Sequence, residues 1–234
     1  MDNILIILTS TITINSYKHY LNQTDPNERL NCYLKSVKQW LEKTSFKICL
    51  VENSGYTFPE LSDYLIKYND RFEIITFDEL KHPPELQHYI YNCSKGASEL
   101  FSINYAYNNS KFKETVQFII KITARYFIES FEEFLKNNNL STRCNNISIS
   151  NNNDIIALRQ FNRQRCEIVG CNTLLIPIIF NTNMSDIYGL FYPHVEFLYE
   201  NRINLLNKDN ILICDKFCID PKPMGGIDCI VTDL

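Results

Sequence analysis

The chain has 234 residues and a mass of 27.5 kDa, enough for one generous domain with a sizeable core. With 45% hydrophobic and 21% charged residues, it is neither disordered nor fibrous. A net charge of -4 and a pI near 5.6 exclude nucleic-acid binding through bulk charge, leaving at most a local basic channel.

Ile4 to Ile14 reads as the first strand. Its run Ile4-Leu5-Ile6-Ile7-Leu8 is too short to span a bilayer and follows Asp2 rather than a cation, so it reads as a buried strand and not a signal or anchor. Asn27 to Lys43 sets Leu30, Tyr33, Leu34, Val37, Trp40 and Leu41 at helical spacing, with Asp25-Pro26 as the start signal. Phe46 to Val51 is a second strand, closed by the turn cluster Glu52-Asn53-Ser54-Gly55. A short helix over 58–68, a strand over 72–77 and a loop at Pro83-Pro84 follow. A helix over 94–107, a fourth strand from Gln117 to Thr123 and a helix over 127–136 complete the first half.

The second half is less regular. Residues 136–154 read as an Asn/Ser-rich loop with a strand at 147–150. Strands are predicted over 155–160 and 167–180 with a polar turn at 162–165, then a helix over 193–206 and a strand over 211–218. Gly225-Gly226 breaks the tail. Strand and helix alternate early, and the strands are continuous apolar runs, so the fold class expected is α/β. The sheet is mostly parallel, flanked by helices, in a single domain over 1–234. Its nucleotide-binding half spans 1–126 and its second half 127–234. Ligands in such sheets sit at the carboxyl ends of strands.

The composition is skewed, with 27 Asn and 30 Ile against four Ala, a pattern of AT-rich codons. The nine cysteines are odd in number and lie mostly in apolar runs without CxxC or Cys/His clusters. They read as free thiols in a reducing compartment and not as a zinc site. The protein is therefore expected to be soluble and cytoplasmic, without a membrane span.

The segment Lys121-Ile122-Thr123-Ala124-Arg125-Tyr126-Phe127 closes a buried strand with two cations bracketing a hydroxyl. Along a strand, Lys121, Thr123 and Arg125 project to one side. A fork donor and a point charge there suit a diphosphate. The spacing fits equally well a Lys121 paired with a nearby carboxylate and an Arg125 at a solvated strand end.

This segment resembles the K-[IL]-T-G-R-Y segment of certain GT-A-fold glycosyltransferases, found in large DNA viruses and bacterial polysaccharide clusters. GT-A enzymes usually end strand four in Asp-x-Asp, which holds Mn2+ or Mg2+ against the diphosphate; Thr123-Ala124-Arg125 stands there instead. Ala124 replaces the usual Gly. The resemblance covers roughly 1–130. It implies a nucleotide-sugar donor of UDP or dTDP type and a glycan or other hydroxyl acceptor. Thr9-Ser10-Thr11 is similar to the first nucleotide-contacting turn, and Glu52-Asn53-Ser54 to the loop contacting base and ribose. Lys95-Gly96, in a segment running from Asn92 to Glu99, resembles the opening of the helix before strand four. Ser94 is expected to cap that helix and Lys95 to help form an anion site.

Without an acidic pair, Arg125, Lys121 and Lys95 must carry the leaving-group charge. No metal ion is then required, and any Mn2+ or Mg2+ dependence is weak. The acceptor hydroxyl needs a base, for which Glu196 and Glu200 lie one turn apart on the helix after Pro193. His194 reads as packed or capping. Met224-Gly225-Gly226 is placed as a flap over the diphosphate. Two readings stand beside a hexosyltransferase-type glycosyltransferase. One is a non-catalytic nucleotide-sugar-binding module of the same fold. The other is a nucleotidyltransferase, whose Gly-rich, cationic signature is missing over 9–15.

Overall fold

A computed structural model describes residues 1–18, 21, 23–81, 95–144, 154–185, 189–223 and 230–234. Strand β1 (Ile4–Ser10) lies inside the fold because its run of Ile and Leu is apolar on both faces; only Thr9 is partly exposed. It pairs in parallel with β2 (Lys47–Glu52) on one edge and β4 (Phe118–Thr123) on the other. β3 (Phe72–Thr76) extends the sheet beyond β2, again in parallel. The register sets Thr9 opposite both Val51 and Thr123, and Ser10 opposite Glu52, so three strands end level at one edge of the sheet.

The second half completes the same sheet. β6 (Ile168–Asn172) runs antiparallel to β4, and β5 (Ala157–Arg159) antiparallel to β6 and parallel to β7 (Ile211–Ile213). The order β3-β2-β1-β4-β6-β5-β7 is a mostly parallel, seven-stranded sheet in a single domain. β8 (Cys218–Pro223) and β9 (Ile230–Asp233) form a separate antiparallel pair.

Helices cover both faces. Side chains of β1 alternate: Ile4, Ile6 and Leu8 enter one core with Tyr33, Val37 and Trp40, whereas Leu5 and Ile7 enter the other with Leu100, Ile103 and Leu198. Helix α1 (Pro26–Lys43) covers the first face. Asp25 caps it, accepting from the Asn27 N–H at 2.7 Å, and Pro26 occupies the first turn. After the short α2 (Ser62–Lys67), helix α3 (Lys95–Asn109) covers the second face. The later helices are α4 (Phe131–Asn137), α5 (Leu140–Arg143), α6 (Ile176–Ile179) and α7 (Val195–Asn204). Gly96 lets α3 and α7 approach: a Cβ there would meet the Val195 Cβ at 2.6 Å.

Several boundaries differ from the sequence reading. β1 stops at Ser10, and 11–14 is irregular. The helix expected over 127–136 starts only at Phe131, and the 211–218 run is strand only to Ile213. The run expected as strand over 167–180 is strand only to Asn172. There the Asn172 side chain accepts from the Leu174 N–H at 3.0 Å, opening a 3-10 turn (Thr173–Leu175) that leads into α6. Helix α5 lies where a loop was expected. Pro83-Pro84, the 147–150 strand, Ser94 and Met224-Gly225-Gly226 lie outside the described residues. Among the described residues, no helix is long and apolar enough to cross a membrane.

Candidate functional site

The level tips of β1, β2 and β4 gather most of the residues singled out in the sequence. Two of the three tips are tied together by Glu52. Its Oε1 accepts from the Ile12 N–H at 2.9 Å and from the Ser54 hydroxyl. Its Oε2 accepts from the N–H groups of Ser54 at 2.9 Å and Tyr56 at 2.8 Å. Burial raises its pKa, and these donors oppose the rise. The expectation that Glu52 faces a base or ribose gives way to a framework role, since its side chain is buried and its oxygens are taken.

Neighbouring groups extend the framework. The Ser10 hydroxyl donates to the Val51 carbonyl at 2.9 Å. The Thr11 hydroxyl donates to Asn53 Oδ1 at 2.7 Å, and Asn53 Nδ2 donates to Glu79 Oε2 at 3.0 Å. Glu79 Oε1 takes Asn15 Nδ2 at 2.6 Å and Lys18 Nζ at 2.5 Å. Ser10 and Asn53 are therefore buried struts, whereas Thr9, Thr11 and Ser54 are partly exposed at the edge.

The β4 tip divides its two cations. Lys121 and Thr123 share a side, with Lys121 Nζ 3.1 Å from Thr123 Oγ1. However, Lys121 is wholly buried and pairs with Glu99 Oε2 at 2.7 Å, also donating to the Cys166 carbonyl. Tyr199 donates to the other Glu99 oxygen at 3.1 Å, so β4, α3 and α7 meet on one carboxylate. Burial works against the Lys121 charge, but the Glu99 carboxylate outweighs it and raises the pKa. Direct contact of Lys121 with a diphosphate is corrected to a supporting role: its three donors are spent inside the protein.

Arg125 behaves differently. It is half-buried, its Nε is buried without a partner, and its guanidinium lies 5.5 Å from the Tyr126 ring. Among the described residues it forms no ion pair. A small cavity reaches it between α1 and β8, lined also by Lys35, Gln39, Asp220 and Lys222. The Ala124 methyl points into the apolar core beside Ile122 and Tyr126, so the residue replacing Gly does not narrow the cleft.

Arg29, not singled out in the sequence, belongs to the same neighbourhood. It is buried on α1 and donates to the Thr11 and Gln23 carbonyls and to the Tyr33 hydroxyl at 2.8 Å. Burial lowers its pKa, and the positive charge of Arg125 adds to that. Its signal was a cation within the apolar stripe that Tyr33, Val37 and Trp40 define. Lys95, exposed at the start of α3, is likewise lowered by burial of its ammonium, with Glu196 pulling the other way and Arg125 adding to the fall.

Glu196 and Glu200 are both partly exposed on α7. Glu200 turns toward Arg159, Oε1 to Nη2 at 4.0 Å, whereas the negative charge of Glu196 acts to raise the Lys95 pKa. His194 makes no side-chain cap and packs edge-on to Phe197 at 6.1 Å. Gly96 serves helix packing, as its contact with Val195 requires. Among the described residues, no three His, Cys, Asp or Glu side chains are grouped to hold a metal ion.

No family model and no curated protein matches this sequence. Two solved structures are similar in chain course. One, from Desulfovibrio desulfuricans G20, is assigned as a nucleotide-diphospho-sugar transferase: 11% identity, 92% of this chain and 80% of that one covered, TM-score 0.45. The other is a glycosyltransferase involved in glycosylation of the major capsid of PBCV-1: 9% identity, 91% and 81% covered, TM-score 0.42. At these values no residue role is transferred.

Proposed function

We propose that the chain is a glycosyltransferase that moves a sugar from a UDP- or dTDP-type donor to a glycan or other hydroxyl acceptor. The observation carrying this reading is Arg125, a half-buried guanidinium without a carboxylate, at the carboxyl end of a central parallel strand. Burial works against its charge, but the neighbouring Tyr33 and Tyr126 outweigh that and raise its pKa, so the cation persists with no carboxylate to neutralise it. A diphosphate supplies oxygens in the geometry a guanidinium fork matches. Arg29 and Lys95 add positive potential nearby, and Thr9, Thr11 and Ser54 offer polar groups at the adjoining tips.

In the reaction, the acceptor oxygen bonds to the anomeric carbon as the bond from that carbon to the diphosphate oxygen breaks. The electron pair leaves with the nucleoside diphosphate, whose charge Arg125 and Lys95 stabilise. The acceptor proton passes to Glu196, the α7 carboxylate that is not turned toward Arg159. With cations in place of Asp-x-Asp, the reaction needs no divalent ion.

A nucleotide-sugar panel read by thermal shift, followed by turnover on each hit, tests the reading. The expected result is a rise in Tm of several degrees with one UDP or dTDP sugar and turnover that survives EDTA. Binding without turnover on any acceptor class would favour a non-catalytic module. Turnover abolished by EDTA and restored by Mn2+ would overturn the cation-only arrangement.

A further inference from the structure

We propose that the groove between the carboxyl-terminal half of α3 and the segment around α6 binds a neutral saccharide, at a place separate from the strand tips. The groove has a volume of about 380 Å³, within the roughly 300–1,000 Å³ of small-ligand sites. Tyr105 lies about 15 Å along α3 from Lys95, by the rise of the helix.

The lining fixes the chemistry. Phe101 and Tyr105 stand one turn apart with rings 5.8 Å apart and 28° from parallel. Phe77 packs on both, at 5.4 and 4.5 Å, so the two rings that line the groove are fixed in place. Asn104 donates through Nδ2 to the Leu100 carbonyl at 2.8 Å and to the Phe180 carbonyl, which leaves its Oδ1 as an acceptor. Asn109 donates to the Tyr105 carbonyl at 2.8 Å and also retains Oδ1. Asn108 is the reverse: its Oδ1 takes Lys113 Nζ at 3.2 Å, leaving Nδ2 to donate. None of the eight lining residues is charged, in a chain where 21% are.

The eight lining residues offer an anionic ligand no counter-charge, the Lys113 ammonium beside them being held by Asn108, and a wholly apolar ligand would strand the amides. A sugar ring matches both parts. Its C–H face packs on an aromatic wall, and its hydroxyls both donate to the retained Oδ1 atoms and accept from Nδ2.

The test uses the full chain and three neutral trisaccharides, maltotriose, xylotriose and chitotriose, titrated by saturation-transfer NMR. At least one is expected to bind with a Kd near about 1 mM. Thr182→Trp, which fills the groove from an exposed position, should weaken it about tenfold or more, as should Tyr105→Ala. Saturating UDP should leave the affinity unchanged. The proposal is overturned if no trisaccharide binds at about 10 mM, if both variants bind as the parent does, if UDP displaces the sugar, or if a glucuronate trisaccharide binds more tightly. The trisaccharide titration stands whether or not UDP binds, so this inference and the transferase reading fail separately.

Discussion

Arg125 and Lys121 sit four residues apart, yet their surroundings give them opposite duties. Lys121 has a carboxylate at 2.7 Å and no exposure, so its charge is compensated within the fold. Replacing it with Met leaves the largely enclosed Glu99 carboxylate without its counter-ion, an expected loss of about 3 kcal/mol. In a chain of this size that is a fall in Tm of about 10 °C. The double variant Lys121→Met/Glu99→Leu should recover most of the loss, because neither charge remains to be compensated. A Lys121→Met protein of parental stability that had lost donor binding would instead put Lys121 on the ligand. Arg125 has no such partner, so Arg125→Ala should leave Tm unchanged or raise it. Donor affinity should fall about tenfold to a hundredfold, the worth of a charge-assisted hydrogen bond. Isothermal titration beside a melting curve separates the two effects, and a large fall in Tm would make Arg125 a packing residue.

Among the elements, those with strong local signals were legible. α1 carries a cap, a first-turn proline and a continuous apolar stripe, and it forms where the sequence places it. β1, β2 and β4 are apolar on both faces and could only be buried strands. The run after Asn172 was not legible. Leu174-Leu175-Ile176-Pro177-Ile178-Ile179 is apolar throughout and has no period to separate strand from helix, and a side-chain cap decides it. β8 was missed because its two prolines argue against a strand, although a two-stranded pair at the margin of the fold tolerates them. At the site, the strand tips were readable from their order along the chain. The division of labour between Lys121 and Arg125 was not, since Glu99 reaches Lys121 only through tertiary packing. α4 offers a pH test at this scale. Glu132 in its first turn accepts from the Ser45 N–H at 3.0 Å and pairs with Lys136 at 2.7 Å. Burial alone would raise its pKa, but these partners outweigh it and lower the pKa from the ordinary 4.5. The folded state therefore holds this proton more weakly than the unfolded chain does. The stabilisation is fully present above the ordinary value and is lost as pH falls through the lowered one. Glu132→Gln should remove about 1 kcal/mol at pH 7 and flatten the stability profile below about pH 5. Urea titrations across that range would show the flattening, and an unchanged acid limb would show that Glu132 contributes nothing there.

At the scale of the whole molecule, the two halves of the chain are not separable bodies. β4 from the first half is bordered by β1 on one side and by β6 from the second half on the other. The second core joins Leu5 and Ile7 to Leu198, Tyr199 and Ile203 of α7. Unfolding the second half alone would strip the antiparallel partner from β4 and expose the underside of β1, a cost in apolar area that neither half can bear alone. The chain is therefore expected to unfold in one cooperative step. The protein carries its own local probe for this. Trp40 is the single tryptophan, lies wholly buried in the first core, and packs edge-on against Phe127 at 5.2 Å and Phe131 at 6.1 Å. Its fluorescence reports the first half, while far-UV circular dichroism reports all the helices and strands. In urea, the two signals should share one midpoint and one slope. A fluorescence transition that lags the dichroism change would mean that the β6 side detaches first, and the shared sheet would then not be the cooperative unit.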